Sequence, residues 1–99
     1  MTELIIKSDS KANQKTAQLL LNEALDRQKL ILQTALQRTQ EKLIQFEKQY
    51  QLNSERFFSL YQSGRMDDRN DYIDWAGEYQ IGQNLREQLS FLEELVLCK

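Results

Sequence analysis

The sequence predicts an all-α protein: a long antiparallel helical hairpin with a short helix at its turn, a candidate short strand at the N-terminus, and self-association into a homodimeric bundle. Three observations carry that expectation. Proline is absent and the three glycines, Gly64, Gly77 and Gly82, all lie in the second half, so nothing interrupts a helix between residue 10 and residue 52. Apolar residues recur at spacings of three, four and seven, the interval that keeps one helical face inward. The 99 residues suffice for one domain with a modest core, so association with a partner or a second copy is a route to stability.

Residues 1–9 combine aliphatic and β-branched side chains, and Ser8, Asp9 or Ser10 could cap the helix that follows. They read equally as an extended arm or as a strand, and a lone strand needs a partner edge. The long helix, 10–52, carries Leu21, Leu25, Leu32, Leu36, Leu43, Phe46 and Tyr50 on one stripe, with Thr39 as the one soft position of its second half. A second stripe of Ala17, Leu20, Ala24, Ile31 and Ala35 occupies only the first half, because Arg38 and Lys42 take its place further along. A short helix, 54–63, is capped by Asn53 or Ser54, presents Phe57, Phe58, Leu60 and Tyr61, and stops at Gly64. The third helix, 71–97, has the stripe Tyr72, Trp75 with Ala76, Tyr79, Gly82, Leu85, Leu89, Leu92 and Val96. Gly77 and Gly82 each cost it about 1 kcal/mol relative to alanine, which points to a close approach of another backbone.

Lengths turn these elements into an architecture. A helix over 10–52 is roughly 65 Å long, whereas a compact globule of this size has a radius of gyration of about 13 Å. Folded back as an antiparallel hairpin, the third helix covers about 40 Å of the first and leaves its N-terminal end bare. That end carries the second stripe, so Leu20, Ala24, Ile31 and Ala35 are the expected dimer interface within residues 12–36.

Composition excludes several classes of function. Histidine is absent, which removes the commonest general base and the commonest neutral metal ligand. The single cysteine, Cys98, has no partner for an intramolecular disulfide. The longest apolar runs, residues 19–21 and 30–32, are far shorter than the roughly 20 residues that span a bilayer, and "MTELIIKSDSK" lacks the pattern of a secretory signal. A cytoplasmic protein without membrane contact is expected. Net charge is −2, but residues 1–48 hold eight basic and six acidic groups and residues 49–99 hold five and nine. This polarity favours packing between arms or protomers over a nucleic-acid footprint, which needs a concentrated basic face.

The segment "MDDRNDYIDWAGEY", 66–79, asks most directly for a function. It fails as a calcium loop: Asp68 and Asn70 are in step, but Tyr72 stands where the third ligand belongs and no glycine follows at the turn position. A di-metal site in a helical bundle wants Glu-x-x-His pairs, which are impossible here. No enzymatic role and no cofactor or metal is expected. Aspartates are what a helix entrance selects, since carboxylates accept from first-turn amides and complement the helix dipole. Six of the nine aromatic residues fall within Phe57–Tyr79, where they can close the core at the turn or form a binding surface. The candidate partner-binding set is Asp67, Asp68, Asp71, Tyr72, Trp75 and Tyr79.

The run "FEKQYQLNSERFFSLYQSG" followed by "DDRNDYIDWAGEY" resembles a group of small prokaryotic helical, antitoxin-like proteins. That group has a long helix, a Y-G-M-(S/T)-x-E-x-F segment, a G-x-x-x-D turn and a D-x-x-E-W helix. The match covers Phe46 to Tyr79 and runs through Tyr50, Ser54, Phe57, Gly64, Asp68, Asp71 and Trp75. Gln51 and Leu52 replace the usual Gly-Met, and Asp74 replaces glutamate. The resemblance implies a protein–protein interaction module, the antitoxin of a toxin–antitoxin pair, that binds and neutralises a basic toxin encoded beside it. A structural coiled-coil or scaffold subunit is the alternative. Operator DNA binding through an arm bearing Lys7, Lys11 and Lys15 is a second alternative, although three spaced lysines are too few for a phosphate-tracking patch.

Overall fold

The computed structural model describes residues 11–97. The N-terminal arm or strand, 1–9, lies outside the described residues, as does Cys98. Three helices are present among the described residues: α1, Lys11–Tyr50; α2, Ser54–Gln62; and α3, Asn70–Leu97. All regular structure there is helical.

Two left-handed residues end the first two helices. Gln51 has φ 54°, and the Leu52 amide donates to the Glu47 carbonyl at 3.3 Å. Gly64 has φ 78°; its amide reaches the Tyr61 carbonyl at 3.1 Å and that of Arg65 reaches Leu60 at 2.9 Å. Both are the stop in which amides beyond the helix satisfy its last carbonyls. Between them Asn53, in extended conformation, accepts from the Arg56 amide at 2.7 Å and starts α2.

α3 then runs back along α1. Tyr50 bonds Asp71, Lys42 bonds Glu78 at 3.2 Å and Lys29 meets Glu93 at 3.8 Å, so each step down α1 matches a step up α3. With Glu93 level with Lys29, the end of α3 comes level with about residue 25 of a 1.5 Å-per-residue helix. The remaining N-terminal turns of α1 have neither of the other two described helices beside them. The molecule measures 62 × 25 × 21 Å with a radius of gyration of 19.8 Å, well above the compact value of about 13 Å.

The core has two parts. At the turn, Leu43, Phe57, Trp75 and Ala76 are buried beneath a ring of half-buried aromatics. Along the shaft, Leu32, Leu85 and Leu92 pack with Leu25, Ala35, Leu36 and Leu89. Thr39, the soft position of the stripe, joins the two: it is buried, and its methyl group lies where a side chain at Gly82 would begin, 3.3 Å from the ideal Cβ. Two expectations change here. Leu21 belongs to the inward stripe but is 56% exposed, because α3 ends before reaching it. Ala35, placed at the dimer interface from its spacing, is half-buried against Leu32, Leu85 and Leu92 within the chain.

Candidate functional site

Chain reversal through α2 draws aromatic side chains from all three helices around Trp75. The indole is fully buried and stacks on Phe57, ring centres 3.8 Å apart and planes within 2°. Phe46 and Tyr50 stack at 5.5 and 5.7 Å, and Tyr72 tilts against both Phe57 and Trp75. The indole N–H donates to Ser54 Oγ at 2.9 Å. Ser54 in turn donates its backbone amide to Glu47 Oε2 at 2.8 Å. Every polar group of this buried line is thereby satisfied, as burial requires.

Over the cluster lies the acidic segment. Asp67 accepts from the Arg69 amide at 3.1 Å and from its guanidinium at 3.0 and 3.1 Å, which holds its carboxyl below the usual carboxylate range. The same hydrogen bonds to Asp67, with a smaller contribution from Tyr50, raise the Arg69 guanidinium further. That guanidinium lies 4.7 Å from the centre of the Tyr72 ring, within cation–π range. Tyr50 Oη donates a short hydrogen bond to Asp71. Its pKa is raised, first by that bond, which favours the neutral phenol, and then by burial. The aspartates thus do different things. Asp67 closes the turn before α3, Asp71 sits in the first helical turn and anchors Tyr50, and Asp68 and Asp74 stay exposed. The first α3 amides, Tyr72 and Ile73, bond the Arg69 carbonyl.

Of the six expected partner-binding residues, Asp67 and Asp68 reach solvent freely; Asp71, Tyr72 and Tyr79 are half-buried. Trp75 is corrected: with no exposed area it cannot touch a partner and acts only by holding the others in place. At the other end, Leu20, Ala24 and Ile31 of the expected dimer stripe are exposed, Leu20 at 61% and Ile31 at 56%. Sequence spacing missed Ile73, Ile81 and Phe91, which are 48%, 47% and 60% exposed. They fall off the inward stripe of α3, and their only signal is bulk on a face otherwise polar.

Among the described residues no group of three or more acidic, histidine or cysteine side chains is arranged to hold a metal ion, and no helix is long and apolar enough to cross a membrane. What the surface offers is an acidic rim at the turn and an apolar strip at the free end of α1. A comparison with family models, with curated proteins and with solved structures found no match to this chain.

Proposed function

We propose that the protein is a non-enzymatic helical interaction module that pairs with a second copy through the N-terminal half of α1 and presents its acidic turn to a basic protein partner, in the manner of an antitoxin. The bare end of α1 carries this reading. Leu19, Leu20 and Leu21 are 56–64% exposed on turns of α1 that have outrun α3, and Leu30 and Ile31, level with the last turns of α3, are 63% and 56% exposed. Contiguous apolar surface of this kind marks an interaction site. A helix stripped of packing is also marginal in water, so a second copy supplies the missing half of the core. Support for the antitoxin-like form is local: Gln51 adopts the left-handed conformation that favours glycine at the position where the similar family carries glycine.

Sedimentation tests the first half. The wild type is expected to be a dimer at micromolar concentration. Ile31→Asp should be a monomer of reduced helicity, because burying an unpaired carboxylate costs several kcal/mol, while Gln37→Asp, on the outer face, should leave the dimer intact. Co-expression with the product of the adjoining gene tests the second half. Co-purification that is lost on charge reversal of Asp67 and Asp68 is expected, and a wild-type chain that retains no neighbour-encoded protein rejects the antitoxin form. The burial of Phe57 and Trp75 favours a scaffold as the second reading, since the aromatic cluster is then fully explained as core.

A further inference from the structure

We infer that the second copy docks along one flank of the hairpin, α1 of each copy lying over α3 of the other with both turns at the same end. This rests on the self-association proposed above and adds which surfaces meet. α2 occupies the opposite flank: Phe58 packs on Tyr79 at 4.7 Å, and Glu47 reaches across to the Ser54 amide. Gln45 and Gln49 are each two residues from Glu47, about 200° around the helix, so they mark the flank that α2 leaves bare. There they share a groove with Ile73, Gly77 and Ile81 of α3. Further from the turn, Gln28 of α1 and Phe91 of α3 line its continuation. Ile31 lies three residues from Gln28 and eleven from Lys42, which also lines the first groove; both spacings keep it on this side.

Charge selects which helix faces which. Where these grooves are lined, α1 contributes Lys42 and no carboxylate, and α3 contributes Asp74, Glu78 and Glu87 and no cation. Crossing α1 of one copy over α3 of the other opposes unlike signs; laying α1 on α1 and α3 on α3 opposes like signs. Axial position selects the direction. Within the chain Lys29 pairs with Glu93, so Ile31 and Phe91 stand at about the same level along the hairpin. A two-fold axis parallel to the helices preserves that level and brings Ile31 of one copy to Phe91 of the second. It also sets the two free ends of α1 side by side, so that Leu20 and Leu21 of each cover the other. A fully overlapped antiparallel pairing would instead lay this apolar end over the stretch from Arg38 to Gln49.

Cysteine cross-linking of full-length chains carrying Cys98→Ser tests the arrangement. Ile31→Cys and Phe91→Cys chains, refolded together and mildly oxidised, should yield a covalent dimer that neither forms alone. Cross-linking of Ile31→Cys or of Gln28→Cys to itself would put α1 against α1 and overturn the proposal. Phe91→Glu provides a second reading: it should dissociate the dimer although Phe91 lies outside the α1 stripe, and an unchanged dimer rejects the role of α3. Sedimentation separates the two levels of the argument. A wild-type monomer at micromolar concentration removes self-association and this arrangement together, whereas a wild-type dimer that gives no mixed cross-link removes the arrangement only.

Discussion

Trp75 concentrates the energetics of the turn in one side chain. Its ring fills the space between Phe46, Tyr50 and Phe57 and its N–H is spoken for by Ser54. Trp75→Ala should therefore cost about 3–5 kcal/mol in urea unfolding, the range for losing a large buried aromatic. Ser54→Ala, which leaves the indole N–H buried without an acceptor, should cost about 1–3 kcal/mol. Tyr50 gives a pH dependence with a definite sign. Its folded pKa is raised above the unfolded value near 10, so its contribution is complete below that value. It is lost as pH rises from there through the folded pKa, because the unfolded state ionises first. Unfolding curves measured on the alkaline side should show a steeper loss for the wild type than for Tyr50→Phe, and equal slopes would remove the Asp71 hydrogen bond as the cause.

At the level of the elements, the two glycines of α3 part company. At Gly77 an added methyl group meets nothing within 4 Å, so Gly77→Ala should raise stability by about 1 kcal/mol through helix propensity alone. At Gly82 the same group would sit 3.3 Å from the Thr39 methyl, and a β-branched side chain in a helix has little rotamer freedom to yield. Gly82→Ala should thus fail to show that gain in the same thermal or urea measurement and is expected to destabilise. The end of α1 offers the converse substitution. Gln51 holds a left-handed conformation that costs an L-residue about 1–2 kcal/mol, and Gln51→Gly should recover part of it without moving the α1–α2 junction. Sequence spacing identified both glycines as unusual and could not tell them apart, since the difference lies in what α1 places opposite each.

For the whole molecule, elongation is the governing fact. A 62 Å rod with a radius of gyration of 19.8 Å leaves large apolar side chains exposed, among them Leu19, Leu20, Leu21 and Ile31 of α1 and Ile73, Ile81 and Phe91 of α3. If a second copy covers them, the melting temperature must rise with protein concentration, because dimer formation stabilises the folded state by mass action. A tenfold dilution that leaves the transition unmoved would show a chain that unfolds as a monomer.

Helix content, the order of the helices and the cap and stop of α2 were legible in the sequence, because they depend on local chemistry: an unbroken run without proline, apolar residues at helical spacing, a capping asparagine and a glycine at the end of α2; the left-handed stop of α1 at Gln51 was not. The candidate site was legible only in part. The acidic residues are where spacing put them, but their division of labour was not readable, since Asp71 differs from Asp68 only through the phenol that α1 brings to it. Trp75 read both as core and as a candidate binding surface, because aromatic side chains serve both purposes, and α2 folding over it decides the matter. The fate of the two α1 stripes was decided by length. Leu21 and Leu25 are chemically alike, yet Leu25 packs against the shaft core and Leu21 is exposed, because α3 ends between their levels and burial depends on a partner helix being present at that height.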